Sequence, residues 1–302
     1  MHKSDNAKYL FIINPISGIG KKALLPELIR KEFDLAGKSF EIVFTEYAGH
    51  ATELAKKAAL EKYYAVVAVG GDGTINEIGR SLIGTDTALG IIPAGSGNGL
   101  ARHLNIPMAA DKAVKFLANS VPVSIDHCLI NEYPYFCTAG VGFDASVGMR
   151  FAKQPKRGFT TYIKTVVAEY GSYKCSEYML EIDGKRFSAQ AFLVTFANAS
   201  QYGNNAFIAP QADLQDGLID VCILHPFPLY ISPLIGYRLF SKKIASSRYL
   251  DIFKAKEVKV IRKSPGPVHF DGEPLEMGKE LIIKIIPDQL KVLVRKGEAS
   301  RQ

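Results

Sequence analysis

The string Gly70-Gly71-Asp72-Gly73-Thr74-Ile75-Asn76-Glu77 carries the densest chemistry in this sequence. It follows an apolar, strand-like run at residues 65–69 and leads into a helical stretch at 75–83. Glycines let a backbone turn tightly and approach phosphate oxygens, while the amides that open a helix point toward an anion. Asp72, between glycines, is poised to face a magnesium ion, a nucleotide or an accepting hydroxyl. Gly-Asp-Gly alone is an ordinary turn; the longer string is the specific signal.

Two further Gly-rich segments also follow apolar runs. Asn14-Pro15-Ile16-Ser17-Gly18, continuing to Gly20-Lys21-Lys22, comes after residues 9–13, and Pro93-Ala94-Gly95-Ser96-Gly97-Asn98-Gly99-Leu100-Ala101 comes after 88–92. The first is not a Walker A loop, since no Gly-Lys-Ser/Thr closes it, nor a clean dinucleotide fingerprint. Acidic residues recur in two other turn-like settings, Asp213-Leu214-Gln215-Asp216-Gly217-Leu218 and Asp271-Gly272-Glu273-Pro274. Each also reads as a plain turn beside a strand.

The elements that must position these residues alternate as strand and helix in the first third. Strands are expected at 9–13, 40–44, 65–69 and 88–92, with helices at 21–36, 51–61 and 75–83. Fully apolar strands between helices indicate a parallel sheet covered on both faces, which binds ligands at the carboxyl ends of its strands. All three Gly-rich segments fall at such ends. After about residue 125 the pattern changes to short runs between turns, at 135–139, 178–182, 191–197, 218–224, 258–261 and 281–286, with Asp183-Gly184 as a hairpin signal. Helices are expected at 158–173 and 229–243. The expected organisation is an α/β domain with a parallel sheet over 1–126 and a mainly antiparallel β-sandwich domain over 127–289. The strand at 290–295 and the tail to 302 could return to the first domain.

At 302 residues two domains are the default. Lys and Arg number 37 against 30 Asp and Glu, a formal net charge of +7 that favours anionic partners without choosing among them. The four cysteines show no C-x-x-C pair, which argues against zinc and disulfide frameworks. No apolar run is long enough to span a bilayer, and the N-terminus lacks the layout of a signal peptide. A cytoplasmic protein that visits the membrane transiently is expected. Arg150, Lys153, Lys156 and Arg157 precede one aromatic-rich helical stretch; Lys242, Lys243 and Arg248 follow the apolar residues 229–240. Such pairings of basic and apolar surface suit interfacial docking, and equally a solvated face beside a core helix.

The three Gly-rich segments, in this order and spacing, together with Asp271-Gly272-Glu273-Pro274, resemble the signatures of the diacylglycerol kinase catalytic-domain superfamily, which includes bacterial lipid kinases, sphingosine kinases and ceramide kinases. The resemblance covers residues 9–294. It implies transfer of the γ-phosphate of ATP to a lipid hydroxyl, with Mg2+. It implies nucleotide contacts from Asn14, Pro15, Ser17, Gly18, Thr45, Gly70, Gly71, Asp72, Gly73, Thr74, Asn76, Glu77, Gly95 and Ser96. It further implies an acidic group brought into the cleft from the second domain, for which Glu273, with Asp271 as neighbour, is the candidate base, and Asp72 handles magnesium or orients the acceptor. In similar bacterial lipid kinases the position of Asp213, Asp216 and Leu218 holds a structural magnesium, bound by loop oxygens. One departure bears on substrate: many relatives carry threonine and aspartate where this chain has Ser96 and Gly99, closer to the sphingosine kinase version.

The implied partners are a lipid and a membrane surface, with a homodimer left open. Two rivals remain, an NAD kinase-like enzyme, whose phosphate loop also contains Gly-Gly-Asp-Gly-Thr, and a non-catalytic nucleotide- or lipid-binding protein. Nucleic-acid binding draws on charge alone, with no accompanying motif.

Overall fold

The computed structural model describes residues 7–15, 24–154 and 159–296. The chain divides into two compact units, Met1–Ile125 with Asp288–Gln302, and Asp126–Pro287.

In the first unit β1 (Lys8–Ile13), α1 (Leu25–Leu35), β2 (Ser39–Phe44), α2 (His50–Leu60), β3 (Ala65–Gly70), α3 (Asp72–Leu82) and β4 (Ala88–Pro93) alternate, followed by α4 (Gly99–His103), α5 (Ala110–Ala118) and the start of β5 (Ser120–Ile130), which passes into the second unit at Asp126. The strands run parallel in the order β2-β1-β3-β4. Every residue of β3 and β4 is buried, as expected for strands covered on both faces. Leu25, Ile29 and Phe33 of α1 and Ile75, Ile78 and Leu82 of α3 recur at helical spacing and are buried. The helix α3 opens at Asp72, three residues earlier than its apolar pattern indicates, so Asp72, Gly73 and Thr74 form its first turn.

The second unit contains β6 (Tyr133–Tyr135), β7 (Thr138–Gly142), α6 (Phe143–Ala152), α7 (Phe159–Tyr170), β8 (Ser176–Ile182), β9 (Lys185–Ala191), β10 (Leu193–Ala197), β11 (Ile219–Leu224), α8 (Ser232–Phe240), β12 (Leu250–Ala255), β13 (Glu257–Arg262), β14 (Gly266–Phe270), β15 (Glu273–Met277) and the first part of β16 (Glu280–Arg295), whose residues from Asp288 onward belong to the first unit. One antiparallel sheet has the order β12-β11-β10-β7-β14-β15. A second layer contains β8 and β9, joined by a hairpin whose Asp183 and Gly184 both take positive φ, with β13 beside β8 and the first half of β16 beside β13. Val141, Val194, Phe196 and Val221 of the first sheet share one buried core with Leu180, Val258, Val260 and Ile283 of the second. This is a β-sandwich.

Residues 281–286 and 290–295 lie in one strand rather than two. Asp288 takes a φ of 55°, and β16 resumes after it, with Val292 beside Leu89 of β4. The strand expected at 135–139 lies instead at Thr138–Gly142, and the cause is a side chain described below.

Candidate functional site

The Gly-rich turns of the first unit are tied to one another through the backbone. The Ala94 amide donates to the Gly70 carbonyl at 2.7 Å, Asn14 to Val69 at 3.1 Å, and Thr45 to Ile13 at 2.9 Å, which gathers the carboxyl ends of β1 to β4. The Asn14 side-chain amide donates to the Thr74 hydroxyl at 3.2 Å, linking the first loop to the first turn of α3. Gly70 is required here, because a Cβ would lie 2.5 Å from the Thr74 hydroxyl oxygen. A Cβ on Gly95 would come within 2.6 Å of the Gly71 Cα, so two loops touch backbone to backbone.

The Asp72 carboxylate completes this arrangement. One oxygen accepts the Asn98 amide and the other the Gly99 amide, each at 2.9 Å. Asn98 sits in the left-handed region at φ 51° and caps α4, and its side chain clasps Gly95, donating to its carbonyl at 2.7 Å and accepting from its amide at 3.2 Å. The Arg102 guanidinium donates to the Gly97 carbonyl at 3.0 Å. Burial pushes the Asp72 carboxyl above the usual carboxylate range, opposed by the amides of Asn98 and Gly99 and by Arg102. With one amide on each oxygen, Asp72 forms a clip between the second and third loops. Asn98 and Arg102 were missed as site residues; an asparagine before Gly-Leu-Ala-Arg was the available signal, since asparagine tolerates positive φ and caps helices.

Of the other nucleotide-loop residues, Gly73 is exposed, with nothing within 4 Å of a Cβ built there, and Ser96 is exposed as well. Thr45 is half-buried and Pro15 exposed, while Glu77 lies in α3. Asn76 is buried, and its Nδ2 has no hydrogen-bond partner among the described residues. A buried donor left unpaired costs about 1–3 kcal/mol. Ser17 and Gly18 lie outside the described residues.

In the second unit Asp271 and Gly272 form the β14–β15 turn with φ of 49° and 83°. The Asp271 carboxylate accepts three backbone amides, Phe136 and Cys137 at 2.7 Å and Thr138 at 3.1 Å. The Phe136 and Cys137 amides thereby go to a side chain instead of a strand partner, between the end of β6 at Tyr135 and the start of β7 at Thr138. Glu273 is the first residue of β15, paired with Phe270 and half-buried. The same hairpin carries His269, whose ring nitrogen lies 2.9 Å from the Asp144 carboxylate of α6; the Thr195 and Tyr202 hydroxyls reach that oxygen at 3.2 and 3.3 Å. This polar cluster pins α6 to β14 and had no signature in the sequence.

Asp213 and Asp216 each close a tight turn, accepting the amides of Gln215 and Leu218 at 3.0 Å. The second oxygen of Asp216 is 2.6 Å from the Lys254 ammonium, which also lies 3.4 Å from buried Asp220. No cluster of three or more acidic, histidine or cysteine groups able to hold a metal occurs among the described residues. So arranged, Asp213, Asp216 and Leu218 do not fit a resident divalent cation: an ammonium already stands against the carboxylate. Of the two basic patches, Arg150 is engaged with Glu169 at 2.9 Å, and Lys156 and Arg157 lie outside the described residues.

A Gly-lined parallel α/β unit followed by an antiparallel sandwich defines a class that the comparisons identify. Residues 8–130 match the diacylglycerol kinase catalytic domain, and residues 137–294 match the YegS C-terminal NAD kinase beta sandwich-like domain. The diacylglycerol kinase of Bacillus subtilis (strain 168) is 32% identical over 271 residues, covering 87% of this chain and 88% of that protein. A crystal structure of a diacylglycerol kinase from Bacillus anthracis str. Sterne superposes with a TM-score of 0.77 at 20% identity, covering 97% of this chain and 99% of that one. A second solved chain from the same organism gives 0.81 at 21% identity over 98% and 100%. The chain belongs to the diacylglycerol kinase family. Among the described residues no helix is long and apolar enough to cross a membrane.

Proposed function

We propose that this chain transfers the γ-phosphoryl group of magnesium-bound ATP to the hydroxyl of a lipid. The observation that carries the reading is the backbone contact of two Gly turns, Gly71 on Gly95, beside the opening turn of α3. Amides at a helix start, with no side chain between them and an incoming oxygen, suit a polyphosphate. Magnesium enters as part of the nucleotide substrate and neutralises charge on its phosphates.

Phosphoryl transfer asks a protein mainly for positioning and charge neutralisation. Gly71, Gly73 and Thr74 cradle phosphate, with Asn14 and Ser96 beside them, while Asp72 keeps the loops in register. The lipid oxygen forms a bond to the γ-phosphorus as the bond to the β-bridging oxygen breaks, releasing ADP. The hydroxyl proton needs a carboxylate acceptor, the role that the family resemblance gives to Glu273. Asp271, whose oxygens accept three amides, holds the turn that presents Glu273.

The test is radiolabelled ATP with extracted membrane lipids, NAD and several purified lipid alcohols, followed by identification of the labelled product. Label in NAD alone would favour the NAD kinase-like reading, which the description of the matched C-terminal domain keeps in view. ATP binding without label in any acceptor would leave a non-catalytic binding protein. Glu273→Gln is expected to lower kcat by on the order of 10²–10⁴ with little change in stability, whereas Asp271→Asn should unfold at lower denaturant. Wild-type turnover in Glu273→Gln removes it from the mechanism.

A further inference from the structure

The helix α8 and the 3-10 turn that leads into it, Leu229–Ile231, twelve residues in all, are apolar on both faces. Inward, Ile235 is buried, and Ile231 and Leu239 pack on the cluster that contains Phe143, Phe192 and Leu250. Outward, Leu229, Tyr230, Leu234, Tyr237 and Phe240 are 67, 78, 43, 61 and 46% exposed. Residues 230, 234, 237 and 240 repeat at helical spacing, so they form one stripe. Of fourteen large apolar side chains exposed among the described residues, five fall in these twelve positions. A helix against water normally turns polar residues outward, so this face is built for another medium.

The surrounding charge says which. Residues 221–250 contain no aspartate or glutamate, but they include Arg238, Lys242, Lys243 and Arg248. Lys242, Lys243 and Arg248 are exposed, and the Lys242 ammonium lies over the Phe207 ring at 4.5 Å. Apolar and tyrosine side chains on one face, followed in the chain by exposed basic residues, match the interface of an anionic bilayer, where tyrosine sits at headgroup level and each basic side chain strengthens binding about fivefold.

We infer that the outer stripe of α8, with Lys242, Lys243 and Arg248, docks the protein on an anionic lipid surface. The inference rests on the lipid-kinase reading only for the purpose of docking, since binding is measurable without turnover. The chain contains no tryptophan, so Tyr237→Trp in the full chain places a single reporter on the stripe without a large change in size. Its emission should shift to the blue with vesicles of mixed phosphatidylcholine and phosphatidylglycerol, much less with phosphatidylcholine alone, and the shift should reverse as salt rises.

In co-sedimentation, Leu234→Ser with Tyr237→Ser, and separately Lys242→Glu with Lys243→Glu, should each weaken binding to anionic vesicles tenfold or more. Both should keep the wild-type melting temperature and wild-type turnover on a short-chain, water-soluble lipid alcohol. An unshifted tryptophan, binding equal on neutral and anionic vesicles, or undiminished binding by folded variants would overturn the inference. So would sedimentation velocity showing a wild-type dimer that the serine variants dissociate, because a second copy of the chain would then cover the stripe. Docking with no lipid phosphorylated would leave the surface assigned and remove the kinase reading instead.

Discussion

Replacing Asp72 separates a structural carboxylate from a chemical one. Its two oxygens each accept one amide at 2.9 Å, from Asn98 and Gly99. A hydrogen bond to a charged acceptor contributes about 1.5–3 kcal/mol, so the pair supplies roughly 3–6 kcal/mol gross. Burial already raises the pKa of this group, so its removal returns part of that sum as a relieved desolvation penalty. A net loss of about 2–3 kcal/mol is expected for Asp72→Ala, read by equilibrium urea unfolding. At roughly 2 °C per kcal/mol for a chain of this size, the melting temperature should fall by about 4–6 °C. The Gly97 backbone lies against the same carboxylate, since a Cβ there would come within 2.7 Å of it. Loss of the clip therefore loosens the third loop, and activity should fall through KM for ATP more than through kcat. A variant that unfolds within about 0.5 kcal/mol of wild type yet has lost kcat would refute the reasoning, because the carboxylate would then act on substrate.

Gly95→Ala should destabilise by about 1–3 kcal/mol through the clash with Gly71. Gly73→Ala has open space and should be neutral or stabilising by about 0.5–1 kcal/mol, while weakening ATP binding measured by calorimetry. His127 is buried, its Nδ1 has no partner among the described residues, and burial lowers its pKa from 6.5 to about 4. The unfolded chain then binds the proton more tightly, so stability is unaffected above the ordinary value and is lost as pH falls from about 6.5 toward 4. At 1.36 kcal/mol per unit the loss reaches about 3 kcal/mol; denaturant titrations at several pH values should show it, and His127→Leu should abolish that portion. Lys254→Met leaves buried Asp220 without its ammonium and should cost about 1–2 kcal/mol. Added magnesium should then raise the melting temperature of the variant but not of the wild type, and an equal effect on both would show that Lys254 does not stand in for a cation.

Local pattern made much of the fold legible. The all-apolar runs that became β3 and β4 and the helical stripes of α1 and α3 are short-range signals, because periodicity of 2 or 3.6 residues needs no knowledge of the partner. The glycines of the three loops were readable for the same reason, since a backbone that must approach an oxygen can do so only without a Cβ. Asp183-Gly184 likewise announced its hairpin.

Contacts distant in sequence decided the rest. The strand expected at 135–139 gave way because Asp271, 134 residues beyond Cys137, takes the amides that would have extended it. Of its neighbours β14 and β15 only the turn between them was readable, since the polar residues of the two strands break the alternation. Pro287 and Asp288 looked like a stop, yet one positive φ lets β16 continue. Asp72 could be seen as a carboxylate among glycines, but its partners lie 26 and 27 residues away. The types of groups available, and the turns able to carry them, followed from sequence alone. Only the tertiary structure decided which carboxylates are consumed by backbone amides, as Asp72 and Asp271 are, because that depends on which donors folding brings within about 3 Å.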